Sequence, residues 1–406
     1  MLLLGALPAA LVADPPVAWS SVLQQAAIQA DTAYGCIICH ADKRRAFVLG
    51  VHSERGIRCE DCHGGNPAAY ETSAAHRGRF VGIPDKIATV QLCASCHSDP
   101  GQMRQYGLAA DQLAEFETSR HGQLLLRQGD TDAPTCTGCH DAHTILPAED
   151  ARSNVHPTNI LATCVRCHED ERLMAKYGLP TDQSERYRAG AHGIAVFEKR
   201  NFAAPTCVGC HGSHAALPPA VTEIAHVCSK CHVLLGRAFY QGPHGSPGVG
   251  GRLPGCLGCH SNHGTERIAP DRITSLCARC HGSESQAGLM GVEIQERVLR
   301  ATEELSVAAL AIDELVLMGR RVADERFRYQ AALTEYRQIA QIQHSLDLER
   351  LEELGLRVRS NTGIIRATAE VAAETRWEHK LLLVPVWFLT LSAVAFAWFK
   401  LRDLKS

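Results

Sequence analysis

Aromatic residues are scarce in this chain of 406 residues, at 5%, and lysine is scarcer still, with eight against 33 arginines. No cysteine stands outside one repeated motif. So few aromatic rings leave the large flat apolar surfaces of an ordinary core to be supplied by something else. The absence of a leftover cysteine excludes a disulfide framework, which would not repeat a single spacing either. The formal charge is −3 and no long basic block occurs, so nothing points to a nucleic-acid partner.

What is present is Cys-x-x-Cys-His, nine times, using all 18 cysteines. The copies are Cys36, Cys39 and His40; Cys59, Cys62 and His63; Cys93, Cys96 and His97; Cys136, Cys139 and His140; Cys164, Cys167 and His168. The remaining four are Cys207, Cys210 and His211; Cys228, Cys231 and His232; Cys256, Cys259 and His260; Cys277, Cys280 and His281. In c-type attachment two thiols add across the vinyl groups of one haem, and the adjoining histidine supplies the proximal nitrogen to iron. Zinc sites share the paired cysteines but need no histidine directly after each second one. A redox dithiol would occur once. The cofactor expected is therefore nine covalent haems c with their iron, an attachment made on the outer side of a bacterial inner membrane.

The motif block runs from Cys36 to His281, about 27 residues per haem. That leaves no room for a conventional core, so the fold expected is mainly α with little regular structure, wrapped around a haem stack. The arginine excess suits forked pairing with haem propionates. A genome favouring arginine codons would produce the same count.

A duplication at an offset of 71 residues organises the block. Cys93, Met103, Tyr106, His121, Gly122, Cys136 and His143 match Cys164, Met174, Tyr177, His192, Gly193, Cys207 and His214. Each copy holds two motifs, a His-Gly between them, and a histidine three residues after the second. A shortened copy follows with His244 and His263. The first pair is looser, with His52 in the middle slot and His76 as the nearest trailing histidine. The repeats are expected at about 34–92, 93–163, 164–227 and 228–285.

Nine of the 21 histidines are proximal. His52, His76, His121, His143, His192, His214, His244 and His263 offer one distal ligand to each of eight haems. The ninth, on His281, would draw on His156, His226, His344 or His379, with His156 and His344 the better placed. The pairing of rings is not readable from spacing. Two imidazoles per iron leave no open position for a substrate.

Beyond the haem block the composition changes. Val298, Leu305 and Ile312 recur every seven residues, then Val322, Tyr329 and Tyr336, then Leu351, Val358 and Ile365. This predicts a helical hairpin or three-helix stalk over 288–376, with breaks near Gly319 and Ser345–Asp347. Leu381 to Phe399 carries no charge and is long enough to cross a bilayer as a helix. The 400–406 tail, with Lys400, Arg402 and Lys405, is expected in the cytoplasm and the haem block outside. Residues 1–13 resemble a secretory signal, although no Lys or Arg precedes the apolar run.

The doubled motifs, Arg-His121-Gly, Ala-His192-Gly and the trailing Cys-His-x-x-His resemble membrane-anchored multihaem cytochromes c over residues 34–285. The helical tail also looks like that of octahaem hydroxylamine oxidoreductases and pentahaem nitrite reductases, but no Cys-x-x-Cys-Lys variant is present. The resemblance implies an electron carrier at the inner membrane with its haems in the periplasm. It would link a quinol-oxidising membrane protein or b-type cytochrome to other periplasmic or outer cytochromes or a terminal reductase. The alternative is a respiratory reductase of nitrite, hydroxylamine or a sulfur oxyanion, with one open-coordinate haem.

Overall fold

The computed structural model describes residues 34–218, 224–245 and 255–403. The signal-like run at 1–13 lies outside them, as does the end of the tail. The chain is mainly helical, and the described residues contain no strand. It divides into two compact units, 1–218 and 219–406. The division thus falls inside the haem-motif block, between the motifs at Cys207 and Cys228, and not after residue 285. The physical reason is visible in the second unit. Ile273, just before the last motif, packs against the core of the helical region together with Met290.

In the first unit, short helices alternate with turns. The longest are α1 (Lys86–His97) and α2 (Ile160–His168), each ending on a Cys-x-x-Cys-His motif. Asp85 caps α1 by accepting from the Ala88 amide at 2.7 Å. The one apolar cluster of buried residues in this unit is small: Val90, Leu124, Leu125 and Ala133. Met103 and Met174, which share the repeat register, are buried as packing residues.

One backbone feature recurs after the second motif of each pair. Gly64, Asp141, Gly212 and Ser261 directly follow the proximal histidine with φ of 68°, 71°, 83° and 60° and extended ψ. That region suits glycine, and a side chain there costs about 1–3 kcal/mol.

The second unit is built on three long helices, α3 (Gln286–Leu317), α4 (Ala323–Ile342) and α5 (Leu348–Asp403). The heptad positions of the sequence are their seam. Ile294, Val298, Ala301 and Leu305 of α3 meet Ala332 and Ile339 of α4 and Leu351, Leu354 and Val358 of α5. Further along, Ala308, Ala311, Ile312 and Leu315 meet Ile365, Ala369 and Ala372. The paired stretches advance together on α3 and α5, so these run parallel with α4 returning between them. Gly319 (φ 76°) and Leu346 (φ 59°) make the two turns. Buried Thr362 donates to Glu304, which also pairs with Arg366 at 3.2 Å.

Helix α5 continues without a break from the bundle into the apolar segment. Leu383–Arg402 is long and apolar enough to cross a membrane, and none of it is buried by the rest of the protein. Pro385 lies inside the helix, where it removes one backbone hydrogen bond. Trp387 and Trp398 are exposed, and Arg402 lies over the Trp398 ring.

Leu354→Ala, at a fully buried seam position, should cost about 2–5 kcal/mol. Leu317→Ala, 82% exposed, should change stability by under about 0.5 kcal/mol. Denaturant melts followed by far-ultraviolet circular dichroism compare them; equal losses would contradict the seam. Asp141→Gly and Ser261→Gly should each raise stability by about 1 kcal/mol in the same melts.

Candidate haem-ligating site

A Cys-x-x-Cys-His segment wound as a helical turn places its two thiols on one face, with the histidine one turn beyond the first cysteine. The His40, His232 and His281 amides accordingly donate to the carbonyls of Cys36, Cys228 and Cys277, each at 2.9 Å. Where a proximal ring nitrogen has a backbone carbonyl as partner, that nitrogen must carry the proton. His63 Nδ1 meets Gly82 O at 2.8 Å, His260 Nδ1 meets Glu266 O at 2.8 Å, and His211 Nδ1 meets Leu217 O at 3.2 Å. Nε2 is then left unprotonated, which is the form a metal takes.

Among the described residues, seven proximal rings each face a second imidazole. In the first unit the pairs are His40–His76 at 6.4 Å between centroids, His52–His97 at 6.0 Å, His63–His143 at 6.2 Å, His121–His168 at 6.2 Å and His140–His214 at 6.1 Å. In the second unit they are His244–His281 at 6.2 Å and His260–His344 at 6.2 Å. Direct ring stacking would bring the centroids closer, as His76 and Phe80 are at 4.1 Å. Two imidazole nitrogens about 2 Å from a shared metal, each about 1.1 Å from its ring centre, put the centroids about 6.2 Å apart. The spacing fits one iron per pair. No group of three or more His, Cys, Asp or Glu suited to a bare metal ion occurs among the described residues. The donor set is that of a haem, in which the macrocycle supplies the remaining ligands.

The pairing follows a rule that spacing alone does not reveal. The middle histidine of a repeat faces the proximal histidine of the next repeat's first motif, as His52 faces His97 and His121 faces His168, while His244 faces His281 of the motif that follows its own pair. The trailing histidine reaches back to the previous repeat's second motif, as His143 does to His63 and His214 to His140. His76 departs from the rule and faces His40 of its own repeat. His281, expected to need an extra ligand, faces His244. His344, in the 3₁₀ turn between α4 and α5, faces His260 instead, with its own Nδ1 near Gln341 O at 3.2 Å. His156 is placed elsewhere: its Nδ1 meets Thr158 Oγ1 at 2.6 Å and its ring lies against Phe202. His226 lies against Tyr240. The His379 side chain is outside the described residues.

The glycine after the middle histidine has a steric cause. A Cβ on Gly122 would stand 1.8 Å from Phe116 O, and one on Gly193 2.0 Å from Tyr187 O. Only glycine lets the distal-histidine turn close onto the preceding helix.

Burial depresses the proton affinity of these rings. His121 is held down to about 4, chiefly by desolvation and then by His168. His52, His97, His140, His143, His168, His244 and His344 shift the same way, with burial the largest cause. Neutral imidazoles are thus presented to the metal across the physiological range.

The thiols show how neighbouring motifs meet. Cys93 lies beside Cys136, Cys164 beside Cys207, and Cys228 beside Cys256. These are the first cysteines of the two motifs in one repeat. The second cysteines approach across repeats at Cys62 with Cys96 and at Cys139 with Cys167, and Cys259 lies near Cys277 and Cys280 of the last motif. Within each unit, consecutive motifs are therefore spatial neighbours.

Residues 51–169 match the family described as Cytochrome c3. Over 218 residues the chain is 22% identical to the Multiheme cytochrome MtrA of Shewanella baltica (strain OS185). That alignment covers 48% of this chain and 51% of the relative, so the chain spans about half the length of the curated protein it matches. Repeated haem-attachment motifs, imidazole pairs spaced for a shared iron, and these two similarities agree in supporting a multihaem cytochrome c.

Proposed function

We propose that this chain is a membrane-anchored periplasmic cytochrome that holds nine haems c and passes electrons from haem to haem. The observation that carries this reading is the facing of proximal rings by a second imidazole. An iron with both axial positions filled binds no substrate and changes charge with little rearrangement, which suits electron transfer over catalysis. The proximal ligands are His40, His63, His97, His140, His168, His211, His232, His260 and His281. The distal ligands are His76, His143, His52, His214, His121, His344 and His244 in the pairs described, with His192 and His263 serving the haems at Cys207 and Cys228. Neighbouring cysteines support a sequential order of haems, six in the first unit and three in the second.

The apolar end of α5 supports a single inner-membrane anchor with its basic end in the cytoplasm. Such an anchor would hold the haems close to a quinol-oxidising membrane protein or b-type cytochrome, with other periplasmic cytochromes or a terminal reductase receiving the electrons. Bis-histidine ligation suits a low-potential donor of this kind.

Low-temperature EPR of the oxidised holoprotein should show low-spin ferric haem alone, and the reduced form should bind well under one equivalent of carbon monoxide. A stoichiometric high-spin signal would transfer the reading to a reductase. His344→Ala should open the haem on His260, adding one high-spin signal and one carbon monoxide site. His156→Ala should add neither, and the reverse result would overturn the pairing.

The depressed proton affinity of His121 sets a pH dependence. Between about 4 and the ordinary histidine value of about 6.5, the unfolded chain binds a proton that the folded one refuses. Stability should be level above pH 6.5 and should fall as the pH drops below it. Urea melts at pH 8, 6.5 and 5 check the sign; greater stability at pH 5 would refute it.

A further inference from the structure

We propose that the haem held by His40 and His76 is the port at which the chain exchanges electrons with a soluble redox protein of acidic surface. This rests on the electron-transfer reading and adds to it the place and the chemistry of one partner.

Of the seven ring pairs, this is the one in which both imidazoles are exposed; in the other six both rings are half-buried. Electron transfer between proteins falls steeply with distance, so an exposed terminal haem is where a partner can approach. The support of the distal ring also differs. His76 comes from its own repeat, directly after the one-turn helix Thr72–Ala75, and rests on Phe80 at 4.1 Å with the rings 12° from parallel. Among the described residues its ring pairs within its own repeat, whereas His52, His63 and His97 pair across repeats.

The surroundings select the partner. Lys43, Arg44 and Arg45 follow His40 on the helix Ala41–Phe47, and Arg77 and Arg79 follow His76. All but the half-buried Arg44 are exposed. The carboxylates in the same two segments, 38–45 and 71–81, are Asp42, which pairs with Lys43 at 3.0 Å, and Glu71. Five cations against two anions make these two segments positive in a chain whose formal charge is −3. Ile38, Phe80 and Val81 are exposed between them. An apolar centre ringed by charge of one sign is how transient redox interfaces combine approach with fast release. The reaction is the passage of one electron: the ferrous haem here is oxidised, the ferric iron of the partner is reduced, and no bond or proton moves.

The test uses the full-length holoprotein in detergent, reduced beforehand, with its oxidation by an acidic soluble monohaem cytochrome c followed by stopped flow. A basic cytochrome c and ferricyanide serve as comparison oxidants. The rate with the acidic cytochrome should fall at least tenfold between low and high salt, and about tenfold in K43E/R45E/R77E/R79E, within the range of electrostatic steering. The same variant should react with the basic cytochrome no more slowly than wild type. R172E/K199E, which reverses exposed charges elsewhere in the first unit, should leave both rates unchanged. An unchanged Soret and low-spin spectrum shows that each variant is folded and loaded. An undiminished rate with the acidic cytochrome in the quadruple variant would overturn the port, as would equal slowing in R172E/K199E. Wild-type protein that none of the three oxidants oxidises would instead sink the electron-transfer reading, and the port with it.

Discussion

Everything in the haem-bearing part of this protein depends on one distance, the separation at which two imidazoles can share an iron. A distal ring must be brought opposite a proximal one, and in most repeats the chain does so by lending a histidine to a neighbour. His52 goes forward to His97 while His143 reaches back to His63. Within the first unit, consecutive repeats therefore meet through imidazole pairs more than through apolar contact. The first unit's small buried cluster around Leu124 and Leu125 shows how little else is available.

Local features that look unrelated serve that constraint. The tight glycine at Gly122 or Gly193 lets the turn bearing the middle histidine fold against the helix before it. The positive-φ residue after the second motif, Asp141 or Gly212, precedes a trailing histidine that reaches another repeat. Carbonyls on the Nδ1 of His63 and His260 fix which nitrogen faces the metal. Burial favours the neutral form of rings such as His121 and His344. Each device acts on a different property of the histidine: its position, direction, tautomer and charge.

The helical region obeys different physics, since α3, α4 and α5 meet through aliphatic side chains in a seam that any three-helix bundle could use. It is nonetheless part of the cofactor architecture. His344 sits in the turn between α4 and α5, where an end of the bundle meets a haem motif, and Ile273 anchors the last motif to the bundle core. The helix that begins beside His344 is the one that runs on into the membrane-length apolar segment.

Much of this was legible in the residues themselves. Nine Cys-x-x-Cys-His motifs name the cofactor, because thioether chemistry is local and needs no tertiary information. The heptads at Val298, Leu305 and Ile312 and at Leu351, Val358 and Ile365 mark the bundle seam, because helical periodicity is local too. The duplication marks His121, His143, His192 and His214 as distal candidates. Tertiary structure alone decided which ring meets which: that His281 takes His244, that His344 belongs to His260, and that His156 turns to Thr158 and Phe202. The division of the chain at residue 218 is likewise invisible in the motif spacing. A contact between residues 84 apart, such as that of His260 with His344, is set by how turns and helices close on one another. Sequence spacing measures length along the chain and carries no record of that closure.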